Sequence, residues 1–204
     1  MTSVPFRLGI IATLCPFLGP DLLSALICDS SGLTVHLTEG QTDGLLAALR
    51  SGAQDAIMLA TEPEGDDLVA LDLFDEPLLL AEAPGKETTE VAPGTLLLPE
   101  EGNCLRAQGI ALCGTAAVAE GIRAGNLLTL IGLASSGLGT VLIPALAAPW
   151  AQSLVLRTMP GARRRVRLVA RRGCGRRDVL IRVASAARAI AALPPIEDAL
   201  STSA

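Results

Sequence analysis

Through its first third the chain alternates short apolar runs with segments whose apolar residues recur at helical spacing. Phe6 to Ala12 reads as a buried strand closed by a turn at Thr13-Leu14-Cys15-Pro16. Asp21 to Cys28, with Leu22, Leu23, Ala25 and Leu26, reads as a short amphipathic helix. Leu33 to Thr38 is rich in β-branched residues and predicts a second strand. Thr42 stands where a cap is wanted for a helix carrying Leu45, Leu46, Ala48 and Leu49, which should stop at Ser51-Gly52. Ala56 to Ala60 is a third buried strand. Strand, helix, strand, helix, strand with short connections builds a parallel sheet covered by helices.

The pattern then changes. Leu71 to Leu80 is a long extended passage around Asp75-Glu76-Pro77, which we read as a crossover into a second lobe. Gly85 to Pro93 is polar and predicts a surface loop. A strand at Thr95 to Leu98, a helix at Leu127 to Leu133 and a strand at Thr140 to Ile143 follow. Arg165 to Ala170 alternates as a strand returning to the first lobe, and Val179 to Leu193 has helical spacing that ends at Pro194-Pro195. The expected fold is α/β, with two Rossmann-like lobes joined by two crossover segments: residues 1–76 and 165–204 in one lobe, residues 77–164 in the other. Such architectures hold ligands in the cleft between lobes and signal by lobe motion.

Composition narrows the function. Only 2% of the 204 residues are aromatic and Tyr is absent, which argues against stacking platforms for single-stranded nucleic acid. The formal net charge of -5 provides no overall attraction to phosphate backbones. Basic residues do concentrate at Arg163, Arg164, Arg165, Arg167, Arg171, Arg172, Arg176 and Arg177. That cluster reads as a solvated strand edge and loop, or as a contact surface for a partner domain, an acidic protein or DNA. The longest apolar stretches are too short to span a membrane, and no export signal is visible at the start. Hence the five cysteines are expected to be cytoplasmic thiols rather than a disulfide framework, and no membrane contact is expected. His36 is the single His and no Cys-x-x-Cys occurs, so neither a metal nor a cofactor is expected.

Chemistry concentrates between Leu98 and Cys113. A strand runs into Pro99, Glu100-Glu101-Gly102 turns the chain, and Asn103 is placed to cap a helix starting at Cys104. In a first helical turn a thiolate faces unsatisfied backbone N–H groups and the positive end of the dipole, and Arg106 adds a nearby cation. Cys104 is therefore the candidate nucleophile. Cys113 follows nine residues later. One continuous helix would hold the two α-carbons about 13 Å apart at a rise of roughly 1.5 Å per residue, whereas a disulfide needs about 7 Å or less. Either the intervening segment is already non-helical, or bond formation unwinds Leu105 to Leu112. Taken singly, the two cysteines also fit as small buried hydrophobes. Cys28 should be packed on its helix and Cys174 exposed, with Cys15 a core or surface thiol.

The segment Glu101-Gly102-Asn103-Cys104-Leu105-Arg106, with Gln108 and Cys113, resembles the cysteine passage of the OxyR family, the peroxide-responsive LysR-type transcription regulators. Gly9 to Leu14 with Pro16 and Pro20, Glu39-Gly40-Gln41-Thr42, Phe74 to Pro77 and Ser136 to Ala147 carry the likeness along most of the chain. The resemblance implies a periplasmic-binding-protein-like regulatory domain, of the LysR-type substrate-binding kind, and not an enzyme. It implies that hydrogen peroxide oxidises Cys104 to a sulfenic acid that Cys113 resolves as a disulfide, with Arg106 assisting the thiolate. Thr13, Thr42 and Asn103 would lie by the peroxide pocket between the lobes. It implies a homodimer of the domain, a homotetramer of the full-length protein, contacts with promoter DNA and RNA polymerase through that full-length protein, and a cellular dithiol reductant. The family's N-terminal winged helix-turn-helix is expected to be absent from this chain.

Three positions depart from the family pattern. Asn103 replaces the usual His and cannot take a proton near neutrality. Ala107 replaces an Asp, removing a negative charge near the thiol, and the loop after Cys113 is short. The competing reading is a LysR-type effector domain that binds a small metabolite or anion in the interlobe cleft, using Thr13 and Thr42 at helix starts.

Overall fold

A computed structural model describes residues 4–28, 32–86 and 90–191. In chain order the elements are β1 (Phe6–Ile11), α1 (Cys15–Cys28), β2 (Val35–Gly40), α2 (Thr42–Arg50), β3 (Ala56–Leu59), β4 (Leu68–Glu82), β5 (Leu96–Leu97), α3 (Cys104–Cys113), α4 (Leu127–Ser135), β6 (Thr140–Pro144), β7 (Val155–Arg171) and α5 (Arg177–Ile190). The chain divides into two units. One holds residues 4–75 and 165–191, the other residues 76–164. The first passage falls at Asp75–Glu76, one residue earlier than expected, and the second at Arg164–Arg165. Both passages lie inside long strands, β4 and β7.

In the first unit β1 is the centre. It pairs in parallel with β2, from Phe6 opposite Val35 to Ile11 opposite Gly40, and with β3, from Leu8 opposite Ala56 to Ile10 opposite Met58. The end of β7 lies antiparallel to β3, with Ala170 opposite Ala56 and Arg167 opposite Leu59. All four β3 residues are buried, as the unbroken apolar run requires. Helix α1 starts at Cys15 rather than Asp21. Pro16 does not prevent this, because the N–H it lacks in a first turn would have no helical partner. The early start buries Phe17 and Leu18 beside Leu22 and Leu26. Strand β2 begins at Val35, two residues later than expected. The cap of α2 is Gln41, not Thr42, and its side chain makes no capping bond; Thr42 is already the first helical residue. Helix α5 starts at Arg177, two residues before the expected Val179, and ends at Ile190 with Ala191 as its cap; of the expected span to Leu193, residues 192 and 193 lie outside the described residues.

In the second unit Leu78 to Ala81 of β4 run antiparallel to β6, and β5 lies parallel to β6 with Leu96 opposite Thr140. Every residue of β5 and β6 is buried. Gly139 lets these strands approach: a Cβ there would stand 2.3 Å from the Thr95 carbonyl oxygen. The first half of β7 was not foreseen. Its apolar and polar residues do not alternate cleanly, and Pro160-Gly161 reads as a break.

The arginine-rich stretch turns out to staple each unit internally. Arg164 and Glu76 form an ion pair with no exposed side-chain surface, at 2.8 Å from both Nε and Nη2. Glu76 Oε1 also accepts the Leu146 N–H at 2.9 Å. In the first unit Arg165 binds Asp75 and Asp72, Arg167 binds Asp72 and Glu62, and Arg171 donates to the carbonyls of Leu49 and Gln54. Arg176 donates to the Val4 and Pro5 carbonyls and lies over the Phe6 ring. Of the cluster, Arg163, Arg165, Arg172 and Arg177 are exposed along the strand edge and loop, whereas Arg164 is buried with its counter-ion.

Candidate functional site

Strand β5 delivers the chain through Leu98 to Pro99, which bridges to Ala124, and the Glu100 N–H donates to the Ala124 carbonyl at 3.1 Å. This holds the turn from which α3 departs. Asn103 caps the helix as expected, with φ -95° and ψ 124°, and its Oδ1 accepts the Leu105 N–H at 3.0 Å. Cys104 is the first residue of α3 and is only 9% exposed. Its sulfur thus belongs to a turn whose N–H groups have no partners further back in the helix. The positive end of the helix dipole faces it there.

Arg106 folds back toward the turn, its Nη1 donating to the Pro99 carbonyl at 3.2 Å. It helps line a cavity of about 580 Å³ together with Glu100, Glu101, Ile122 and Arg123. Carboxylates and guanidinium groups thus share one polar hollow at the N-terminal end of α3. Among the described residues no cluster of His, Cys, Asp and Glu is placed to hold a metal, and no helix is long and apolar enough to cross a membrane.

Cys113 is the last residue of α3, half-buried. Burial pushes its thiol up; the Arg157 guanidinium pulls it down but does not fully offset the burial. None of the five cysteines is disulfide-bonded. The helix between Cys104 and Cys113 is unbroken, which decides between the two sequence-level alternatives: the α-carbons stand about 13 Å apart, and a bond between them requires α3 to open. Gly109 packs the middle of the helix against the strand that feeds it, since a Cβ there would fall 2.5 Å from Leu98 Cδ2. Leu105 is wholly buried.

The remaining candidates fall in the other unit. Thr13 is buried just before α1, and Thr42 opens α2 with its Oγ1 shut off from solvent and accepting no hydrogen bond. Cys15 opens α1 much as Cys104 opens α3, yet burial and the neighbouring Glu39 carboxylate push its thiol up to about 11. A helix start alone therefore does not make a reactive thiol. Cys28 is exposed rather than packed, because it ends α1 beyond the last buried turn, and Cys174 is half-buried rather than exposed. Sequence reasoning missed the ion pair of Arg157 with Glu82, 3.7 Å apart, whose members are distant in sequence.

Residues 3–192 match the LysR substrate binding domain family. The chain is 37% identical over 188 residues to a probable hydrogen peroxide-inducible genes activator of Mycobacterium avium, covering 84% of this chain and 60% of the relative. Against the DNA-binding transcriptional dual regulator OxyR of Escherichia coli the identity is 37% over 157 residues, covering 72% and 52%. The chain thus spans between half and two thirds of the length of these relatives. Among solved structures, the reduced OxyR regulatory domain of Pseudomonas aeruginosa superposes with a TM-score of 0.82 at 25% identity, covering 96% of this chain and 100% of that one. A cysteine-to-serine variant of Corynebacterium glutamicum OxyR with bound hydrogen peroxide superposes with a TM-score of 0.79 at 28% identity, covering 99% and 68%.

Proposed function

Since the chain belongs to the LysR substrate-binding domain family and corresponds to the OxyR regulatory domain, we propose that it is a hydrogen peroxide sensor operated by Cys104 and Cys113. The observation that carries this reading is the placement of the two thiols at opposite ends of one unbroken, capped helix.

The Cys104 thiolate attacks one peroxide oxygen, the O–O bond breaks, and hydroxide leaves to become water, leaving a sulfenic acid. Condensation with Cys113 then forms the disulfide and releases a second water. Asn103 holds the helix start in place for the first step, and Arg106, bonded back to the Pro99 carbonyl, adds a cation to the same turn. The second step opens α3, releases Leu105 from the core and thereby changes the surface the unit presents. That conformational change is the signal, so the domain is a regulator and not a turnover enzyme. In the full-length protein the change acts on promoter DNA and RNA polymerase through a DNA-binding domain, in a homotetramer built from domain dimers, and a cellular dithiol reductant resets the switch by thiol–disulfide exchange.

Stoichiometric peroxide followed by mass mapping of thiols tests this: a Cys104–Cys113 bond and increased hydrogen exchange across residues 100–120 are expected. Reduced Cys104 at low-micromolar peroxide refutes it, and consumption of peroxide in catalytic excess moves the reading to a thiol peroxidase.

One observation favours a second reading, an effector domain for a small metabolite or anion. Thr42 offers an unsatisfied hydroxyl at the positive end of α2, the kind of group a carboxylate or other anion engages. Stabilisation of the Cys104→Ser protein by small carboxylates, lost in Thr42→Val, would support it.

A further inference from the structure

The strand that feeds α3 is tied twice to the segment that follows α3. Leu96 bridges to Val118 and Pro99 to Ala124, both in parallel, and the Ala119 N–H donates to the Leu96 carbonyl at 2.8 Å. Between those ties the first segment has only Leu97 and Leu98, whereas the second has residues 119–123. The surplus cannot lie flat along its neighbour. It arches away, and together with the Glu100-Glu101 turn and the first turn of α3 it encloses the cavity of about 580 Å³. That volume falls within the range of small-molecule sites. Both walls carry both signs of charge, Glu100, Glu101 and Arg106 on one and Glu120 and Arg123 on the other. Yet among the described residues the side chains of Glu100, Glu120 and Arg123 make no hydrogen bond or ion pair. The Glu100 carboxylate instead leans over the far tie, where a Cβ on Gly125 would fall 2.8 Å from its Oε1. Val118 and Ile122, both half-buried, add apolar surface to the lining.

A hollow whose opposite charges are held apart, rather than collapsed on one another, matches a ligand that itself carries both signs. We propose that it is a binding site for a small zwitterion, a free α-amino acid or a short peptide. The ligand's ammonium faces the carboxylates of Glu100 and Glu120, its carboxylate faces Arg123, and an apolar side chain packs on Val118 and Ile122. A simple amine or a simple anion engages one sign only and leaves the other without a partner. Because Arg106 and the Glu100-Glu101 turn form one wall, the occupant also holds the start of α3. On the peroxide-switch reading, on which this consequence alone rests, the disulfide opens α3 and breaks that wall. The ligand therefore binds the reduced chain better and shifts the equilibrium toward the dithiol.

The site is tested by calorimetric titration of the whole reduced chain. The probes are L-leucine, alanyl-leucine, and alanyl-leucine blocked as its N-acetyl derivative or as its C-terminal amide. Leucine or alanyl-leucine should bind, and the tighter of the two tells an amino-acid site from a peptide site. Each blocked form should bind about three- to fivefold more weakly, the worth of one exposed ion pair. In Arg123→Gln the preference for the free acid over the amide should vanish, while the preference for the free amine over the N-acetyl form persists. Glu100→Gln combined with Glu120→Gln should do the reverse. All three side chains are exposed, so these variants should keep the wild-type Tm. No binding of either free-ended probe at millimolar concentration, or binding that ignores both the blocked ends and the substitutions, overturns the site. A second arm reads the coupling in thiol–disulfide buffers. With the bound probe at about ten times its Kd, the ratio of Cys104–Cys113 disulfide to dithiol should fall about tenfold. An unchanged ratio with binding intact overturns the coupling to α3. Absence of any Cys104–Cys113 bond sinks the switch reading by itself, since the titration needs no oxidation.

Discussion

If disulfide formation opens α3, the reduced state alone keeps Leu105 in the core, and the reduction potential must respond to that side chain. Leu105 has no exposed surface and lies next to Cys104 in the first turn. Truncating a fully buried leucine to alanine costs roughly 2–5 kcal/mol. In Leu105→Ala this cost falls on the reduced form and is relieved in the oxidised form, where the helix is open. The equilibrium then moves toward the disulfide. For a two-electron couple about 30 mV corresponds to 1.4 kcal/mol, so the potential should become more negative by about 40–110 mV. The measurement is a titration against defined thiol–disulfide buffers with the Cys104–Cys113 bond quantified by mass spectrometry. Leu142→Ala is the control. Leu142 is equally buried, on β6, and its loss should lower the stability of both redox forms without moving the potential. A Leu105→Ala potential within 10 mV or so of the wild type, with reduced-state stability lowered as expected, would mean that α3 stays packed after oxidation.

Other outcomes follow from the same structure. Asn103→Ala removes the cap bond to the Leu105 N–H and should lower the stability of the reduced form by about 1 kcal/mol, seen as a Tm drop of about 2–4 °C. Glu76→Gln leaves the Arg164 charge buried without its counter-ion and should cost roughly 3–5 kcal/mol in chemical denaturation, whereas a cost below about 1 kcal/mol would show that the pair is dispensable. Cys15 provides a pH signature. Its thiol is raised from about 9 to about 11 in the folded chain, so the neutral form is the native one. The associated stability is complete below the unfolded value and drains away as pH rises toward about 11. Wild type should therefore lose more stability across that alkaline window than Cys15→Ser, and Cys15 should alkylate more slowly than Cys104 at neutral pH.

Much of this was legible in the sequence because it is local. The unbroken apolar runs at Ile57 and Leu142 could only be buried strands, and Asn103 before Cys104 announced both a helix and its cap. What escaped depended on long-range pairing or on burial. Thr42 looked like a cap by residue type, but the backbone reaches helical conformation one residue sooner and Gln41 takes the position. Cys15 and Cys104 both open helices and are buried alike, and the Glu39 carboxylate that raises the Cys15 thiol reaches it from β2, a neighbour that sequence order does not show. The arginines near Arg164 looked like a surface patch in one dimension, because Glu76, Asp75 and Asp72 reach them only through the crossover strands.

The unbroken run of α3 between the two thiols also sets a clock. On the proposed switch the bond cannot form while the helix holds, so oxidised Cys104 would wait for a spontaneous opening. The interval is governed by the Asn103 cap, the Leu105 burial and the close fit of Gly109 against Leu98. During that wait a second peroxide molecule competes with Cys113 for the sulfenic acid, and its product, the sulfinic acid, does not return. How tightly a few side chains hold ten residues of helix therefore decides at what oxidant level this sensor stops being reversible.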